Sequence, residues 1–287
     1  MIPHFKKGDL DKLLIPIPSL RIQKYIGDTY YRFCEKVETN KRINIKLEEM
    51  AQAIFKQWFV DFEFPNEEGK PYKSSGGEMV ESEMGMIPEK WDIYSLYDLA
   101  DYLNGTSFKK SEMSEKTGVP IVKIAELKDG ITDSTKYCIV EKQDKYYLKN
   151  GDILFSWSGN PQTSIDIFIW NKDNAILNQH IFKITSKIYS KEFIYIILKY
   201  FKPIFTQIAT NKQTTGLGHV TINDLKRLKI ALPNEKLINE SSFKIKAIIN
   251  KIHNTQLENN NLANLRNLIL PKLMSGEISV PFNTENK

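Results

Sequence analysis

Three polar loops carry the side chains of this chain that are best suited to chemistry. Residues 104–110, 156–160 and 211–219 combine amides and hydroxyls with an aromatic or imidazole ring, and the first and third of these loops also contain lysines. Such groups form the hydrogen bonds that read base edges in DNA, and loops on a rigid scaffold can present them. Ordinary surface turns have a similar composition, which leaves both interpretations open. The candidate DNA-binding residues are Ser107, Lys109, Lys110, Ser158, Asn160, Lys212, Gln213, Thr214, Thr215 and His219.

The sequence shows no catalytic or metal-binding motif. It has neither a GxGxxG nor a GxxxxGK[ST] phosphate loop. Residues 160–163 (NPQT) are the nearest approach to an adenine methyltransferase tetrapeptide, but they lack its second proline and its terminal aromatic residue. The four histidines are scattered and have no metal-ligand spacing. We therefore expect a recognition and scaffolding protein without a catalytic or metal site.

Charge is unevenly distributed along the chain. The formal net charge is +5, whereas residues 181–233 contain nine basic and two acidic residues. A basic face suits contact with DNA phosphates, although a solvated lysine-rich surface would have the same composition. Arg227 is the only arginine between residues 86 and 233. Base recognition would therefore depend on Lys, Asn, Gln, Ser and Thr.

Composition indicates a folded protein of a reducing compartment. With 287 residues, of which 41% are hydrophobic and 11% aromatic, the chain can form a packed core. We expect neither a membrane span nor a signal peptide. Two cysteines, Cys34 and Cys138, are too few for a disulfide framework or a zinc finger. The expected location is the cytoplasm.

An internal repeat indicates the architecture. Shifting residues 4–58 by 215 positions aligns them without a gap on residues 219–273, with ten identical pairs among 55. The repeat occurs only twice, on either side of an unrelated segment. It therefore predicts one globular module between two equivalent arms, and not a solenoid.

Each arm has the alternating four- and three-residue spacing of a coiled-coil seam, along residues 26–58 and 241–273. Antiparallel pairing of the arms would bring their polar seam residues into one layer, Asn40 opposite Asn259 and Asn44 opposite Thr255. Buried polar seam residues fix register. In an asparagine-rich chain, composition alone could also place them there. The predicted register residues are Asn40, Asn44, Thr255 and Asn259.

The central module contains short apolar runs bounded by turns, which predict strands. These runs lie at residues 120–124, 137–140, 152–157, 165–170 and 181–184. Residues 191–209 predict a helix, and the Gly-, Pro- and Ser-rich residues 65–85 predict a linker. The expected fold class is α+β, with one globular, mostly-β domain flanked by two long helices that form an antiparallel coiled coil.

Several motifs occur in a fixed order around the repeat. Asp9-Leu10 with the proline-rich residues 16–18 has a copy at 224–233, and residues 85–91 open the module. The other motifs are AIFKQWFVDF at 53–62, GDILFS at 151–156 and LPKLMSGEI at 270–278. Over nearly the whole chain, this order resembles a DNA specificity subunit of a type I restriction-modification system, in a half-sized form with one complete target recognition domain.

The resemblance implies a division of the chain into six segments. These are the closing segment of a truncated first recognition domain (1–18), a first spacer helix (19–64), a linker (65–85), the target recognition domain (86–233), a second spacer helix (234–280) and a tail (281–287). It implies a non-catalytic subunit that binds double-stranded DNA and directs partner adenine methyltransferase and restriction subunits to a split site. A second copy of the chain, or a separate half-subunit, would complete the reader.

The resemblance also implies that this chain binds no cofactor itself. S-adenosylmethionine would be bound by the methyltransferase subunit, and ATP and Mg²⁺ by the restriction subunit. Two alternatives stay open from the sequence. The chain could be a truncated or silent copy of a specificity subunit, or a coiled-coil interaction protein without independent DNA reading.

Overall fold

The computed structural model describes residues 17–213, 216–233 and 235–280, without the side chains of residues 235–237 and 239–242. Most of the predicted closing segment 1–18 and the tail 281–287 therefore lie outside the described residues. The chain divides into two compact units. The first combines Met1–Ile43 with Thr255–Lys287, and the second is Asn44–Asn254.

Six α-helices and fifteen strands are present in the described parts of the chain. The helices are α1 (Leu20–Phe59), α2 (Ile124–Asp129), α3 (Pro161–Ser164), α4 (Lys191–Asn211), α5 (Ile222–Arg227) and α6 (Glu235–Ser275). The strands are β1 (Met79–Ser82), β2 (Gly85–Pro88), β3 (Trp91–Ser95), β4 (Ala100–Asn104), β5 (Met113–Ser114), β6 (Val119–Val122), β7 (Tyr137–Cys138), β8 (Tyr147–Leu148), β9 (Ile153–Ser156), β10 (Ser158–Gly159), β11 (Asp166–Ile169), β12 (Ala175–Leu177), β13 (Ile181–Ser186), β14 (Gly218–His219) and β15 (Lys229–Pro233).

In the first unit, α1 and α6 run antiparallel. The Nδ2 atom of Asn40 donates a hydrogen bond of 2.9 Å to Oδ1 of Asn259, while Ile22, near the start of α1, lines one groove with Leu273, near the end of α6. Gly276 has a φ of +77° directly after α6, as expected for a helix C-cap. The predicted antiparallel pair of long helices is confirmed.

The first long helix is shorter than the predicted spacer helix 19–64. It ends at Phe59 because the backbone N–H groups of Val60 and Asp61 both bond to the carbonyl of Lys56, which closes the last turn. Phe62 then has a φ of +62°, which is incompatible with continuing a right-handed helix.

The predicted linker 65–85 is folded, which corrects the sequence-based expectation. Its first part folds back so that Pro65 bridges Pro71 and the ring of Tyr72 stacks on Phe64 at 4.5 Å. Its last part forms the antiparallel hairpin of β1 and β2. Glycine and proline here form turns of the domain, and Tyr72 provides apolar area to bury.

The second unit contains a mixed domain with two principal sheets. One sheet has four strands in the order β11-β9-β13-β4, and the other has five in the order β5-β7-β6-β12-β8. Strand β15 pairs with β3, and β10 pairs with β14. The predicted mostly-β domain is confirmed, and the predicted helix 191–209 corresponds to α4, which continues through Pro203.

The core of the second unit includes the end of α1 and the beginning of α6. Phe55 and Phe59 pack on Phe193 of α4, with ring centroids 5.9 and 4.9 Å apart. Ile245 and Ile249 of α6 are buried in the same cluster. The long helices therefore belong to the domain core as well as to the coiled coil.

A buried ion cluster joins α1, α4 and β11. The Nζ atom of Lys199 lies 3.0 Å from carboxylate oxygens of both Glu48 and Asp166, and Lys202 also pairs with Asp166. Burial opposes ionisation of Asp166, but the charge of Lys199 and the hydrogen bond from Lys202 lower the pKa of its carboxyl below the ordinary value. The cluster holds the strand, the domain helix and the long helix in one arrangement.

Candidate nucleic-acid interface

The four-stranded sheet brings the polar loops together at one of its ends. Strands β4 and β9 finish there and β13 and β11 begin there, because Asn104 pairs with Phe182 and Ser156 pairs with Ile181 and Asp166. The loops that leave this end are therefore neighbours. We call these loops, together with the segment that joins them through β14, the sheet-end surface. Its described residues are 104–110, 157–160, 178–180, 211–213 and 216–219.

Trp157 is at the centre of the sheet-end surface. Its indole Nε1 donates a hydrogen bond of 3.1 Å to Oδ1 of Asn104. Its ring stacks on Phe182 with centroids 5.5 Å apart and contacts the ring of His180 at 5.8 Å. Trp157 is half-buried, whereas Asn104 and His180 are exposed. The indole thus forms an anchored aromatic platform beneath polar groups.

A short antiparallel strand pair joins the second and third predicted loops. Ser158 pairs with His219, and Gly159 pairs with Gly218. A Cβ atom on Gly218 would lie 2.0 Å from the carbonyl oxygen of Ala209, so only glycine allows this approach to α4. The backbone N–H of Val220 also donates to the carbonyl of Trp157 at 2.8 Å.

Five candidate residues are accessible on the first and third loops. Ser107, Lys109 and Lys110 are exposed, and neither lysine forms an ion pair within the described ranges. His219 is exposed on β14. Gln213 is exposed as well, whereas Thr214 and Thr215 lie outside the described residues.

Three other candidates are engaged in local structure. Oδ1 of Asn160 accepts hydrogen bonds from the backbone of residues 162 and 163 and caps α3, and Ser158 is half-buried in the pair with β14. Lys212 forms an ion pair with Asp224, whose side chain is only 7% exposed. Although burial opposes ionisation, hydrogen bonds from Lys212 and Thr221 lower the pKa of Asp224 below its ordinary value.

Carboxylates, most of them outside the stretch, pair with most of the basic residues of 181–233. Six of its nine basic residues form ion pairs, namely Lys183, Lys187, Lys199, Lys202, Lys212 and Lys229. Their partners include Glu83, Asp101 and Asp152. This stretch therefore presents far less free positive charge than its composition suggests.

The sheet-end surface includes residues that were not among the candidates. Asn104, Trp157, Gln179 and His180 all belong to it, and Gln179 and His180 occupy the turn between β12 and β13. The available sequence signal was a polar Asn-Gln-His triplet between two apolar runs. Its proximity to the other loops depends on strand order, which no local pattern encodes.

The described residues contain no group of three or more His, Cys, Asp or Glu that is arranged to hold a metal ion. Searching the same part of the chain, we find no helix with a sufficiently long apolar stretch to cross a membrane. A mixed domain that presents polar loops from one sheet end, together with two paired long helices, defines a recognition and scaffolding class of protein.

Sequence comparison identifies the family within this class. The family model described as type I restriction modification DNA specificity domain matches residues 88–267. The match covers more than half of the chain, which therefore belongs to this DNA specificity family.

Similar proteins cover nearly the whole chain. It is 28% identical to the type I restriction enzyme MjaIX specificity subunit of Methanocaldococcus jannaschii over 97% of this chain and 63% of that protein. It is 23% identical to the HindI specificity subunit of Haemophilus influenzae, over 96% of this chain and 71% of that protein. The chain thus spans about two thirds of the length of these relatives.

A solved structure has the same fold. The S subunit of a type I restriction-modification system from M. genitalium aligns with a TM-score of 0.55 at 15% identity. The alignment covers 93% of this chain and 65% of that one.

Proposed function

We propose that this chain supplies DNA sequence recognition to a type I restriction-modification complex. In this role it directs partner adenine methyltransferase and restriction subunits to a split DNA site. The observation that carries the proposal is the sheet-end surface, where amides, hydroxyls and rings are anchored on a sheet around Trp157. Membership of the DNA specificity family supports the same role.

Phosphate contacts come from exposed lysines beside the reading loops. Lys109 and Lys110 are exposed and have no ion-pair partner in the described parts of the chain, whereas most basic residues of 181–233 are paired. A protein with few free cations makes few phosphate contacts and binds DNA weakly by itself. We infer that tight binding requires the methyltransferase subunits.

The long helices serve as a spacer in this proposal. Helix α1 has 40 residues, which corresponds to about 60 Å at about 1.5 Å per residue. This length is nearly two turns of B-DNA at about 34 Å each. The hydrogen bond between Asn40 and Asn259 supports a fixed register of the helix pair.

Protein partners are supported by apolar side chains that the helix pair leaves exposed. Tyr31 is 64% exposed on α1 and Leu268 is 59% exposed on α6. Methyltransferase subunits, a second copy of this chain or a separate half-subunit would cover such residues.

Selection of DNA duplexes from a randomised library tests this function. The chain is mixed with its cognate methyltransferase subunits, and bound duplexes are sequenced after washing at about 50 and 200 mM salt. We expect a defined motif that appears only when the chain is present. Enrichment of no motif by a folded chain that binds its partners would favour the alternative of a silent copy or coiled-coil interaction protein.

A further inference from the structure

The turn between β12 and β13 is rigidly attached to the sheet-end surface. The backbone N–H of Asn178 donates to the carbonyl of Val122 at 3.0 Å, and that of Ile181 donates to the carbonyl of Asn178 at 3.2 Å. Oδ1 of Asn178 accepts from the backbone N–H of His180 at 3.4 Å. Both ends and the middle of this three-residue turn are therefore fixed by hydrogen bonds.

The loop after β4 packs directly against this turn. Gly105 donates its N–H to the carbonyl of Ile181 at 3.1 Å, and Thr106 donates to the carbonyl of Leu177 at 3.0 Å. A Cβ atom on Gly105 would lie 2.1 Å from the carbonyl oxygen of Asn178, so no other residue fits without displacing the turn. The backbone of the turn is thus preorganised and positions the side chains of residues 179 and 180.

The side chains of Gln179 and His180 form a defined hydrogen-bonding edge. Nε2 of Gln179 lies 3.2 Å from Nε2 of the exposed His180, whose ring rests on Trp157. With the amide nitrogen of Gln179 as the donor, the imidazole Nε2 is the acceptor and the tautomer that fits has its ring proton on Nδ1. Gln179 then retains one N–H donor and its carbonyl acceptor.

One donor beside one acceptor is complementary to the major-groove edge of adenine, which offers the N7 acceptor and the N6 amino donor. Guanine offers two acceptors at this edge, and cytosine and thymine each offer a single amino or carbonyl group. The pattern of Gln179 therefore favours adenine.

On the basis of the proposed function, we propose that Gln179 reads an adenine of the target site and that His180 is the positioning residue that orients its amide. The hydrogen bond to His180 and the contact of His180 with Trp157 hold the amide in the reading orientation. This assigns a specificity determinant to the turn between β12 and β13.

The test is the duplex selection described above, carried out with the full chain and its methyltransferase subunits. Q179A is expected to lose adenine preference at one motif position by roughly 5- to 150-fold, since a good bidentate contact gives about 1–3 kcal/mol of discrimination. Q179E, which only accepts hydrogen bonds, is expected to shift that position towards cytosine. H180A should weaken the preference at the same position only.

Gln143 provides the matched control, because it is exposed outside the sheet-end surface and its side chain makes no capping hydrogen bond. Q143A should select the wild-type motif. An unchanged motif for Q179A and Q179E would overturn the inference and leave the proposed function intact. Absence of any motif with the wild-type chain would overturn both. Thermal unfolding of each variant shows whether it is folded. If Q179A is not folded, the motif selected by the size-matched Q179E tests the inference.

Discussion

Asn40 on α1 and Asn259 on α6 are joined by a side-chain hydrogen bond of 2.9 Å, and Asn40 is only 1% exposed. The same Nδ2 atom of Asn40 donates to Glu258 at 2.9 Å, and Glu258 lies 3.3 Å from Nζ of Lys36. Because Asn40 is buried, its amide satisfies its hydrogen bonds in only a few helix alignments, which disfavours shifted pairings of the two helices.

Replacement of one asparagine of this pair will destabilise the helix pair. N259L leaves the buried amide of Asn40 without one partner, which costs about 1–3 kcal/mol. The double variant N40L/N259L removes both polar groups and should recover this loss or exceed wild-type stability. Thermal unfolding of the two single variants and the double variant measures the coupling.

Sedimentation of the same variants reports register and association. We expect the double variant to populate additional oligomeric states, since the polar constraint on pairing is gone. A double variant whose destabilisation equals the sum of the two single ones, with one oligomeric state, would contradict this role.

Trp157→Phe tests the aromatic platform. The change keeps a ring but removes the donor to Asn104, which is exposed and can be hydrated, so we expect a loss of no more than about 1.5 kcal/mol in folding. The selected DNA motif should change, because Asn104, at the start of the loop after β4, loses its hydrogen bond from the indole. Trp170→Phe is the control because Nε1 of Trp170 has no partner among the described residues, and it should keep the wild-type motif.

Lys109→Gln with Lys110→Gln is expected to weaken binding to all DNA sequences similarly. Each lost phosphate contact should lower the slope of log affinity against log salt by about one unit. Titrations of labelled duplexes at several salt concentrations measure this slope. Lys145→Gln, at an exposed site outside the sheet-end surface, is the control; an equal effect of all three changes would exclude a local phosphate site.

Lys212→Met should reduce stability more than it alters DNA preference. Its partner Asp224 is buried, and loss of the ion pair leaves this carboxylate uncompensated, at a cost of about 1–3 kcal/mol. Lys128→Met, at an exposed lysine without an ion pair among the described residues, should be close to neutral. Wild-type stability with an altered DNA motif in Lys212→Met would instead place this lysine in the interface.

The pH dependence of stability provides a second measure of the same pair. Burial opposes ionisation of Asp224, but its hydrogen bonds from Lys212 and Thr221 hold its pKa below the ordinary 3.8. Because the folded chain then binds fewer protons, this contribution is present above about pH 4 and is lost as the pH falls through the lowered pKa. Lys212→Met should show a smaller loss of its thermal midpoint over this acidic range.

Local periodicity predicted the long helices and the apolar strands of this fold. Contacts between residues far apart in the sequence determine how these elements are arranged. The seams of α1 and α6 and the apolar runs of β9 and β13 follow from side-chain spacing. The linker prediction failed at residues 65–85 because composition does not reveal that the ring of Tyr72 stacks on Phe64.

Charge compensation and the composition of the candidate site could not be predicted for the same reason. Lys229 pairs with Glu83, which is 146 positions away in the sequence. Composition therefore overstated the unpaired positive charge of residues 181–233. Trp157 meets Asn104 only because β9 and β4 flank β13. Sequence composition found the loops, but only strand order shows which of their side chains share a surface.

Mapping of methylated adenines by long-read sequencing tests the central claim most directly. Cells that carry the cognate methyltransferase subunits are compared with and without this chain, after expression and folding of the chain have been verified. The proposed function predicts methylation at a defined motif that depends on the chain, with a symmetric split site if two copies act together. An identical methylation pattern in both cells would contradict the claim that this chain reads DNA for the complex.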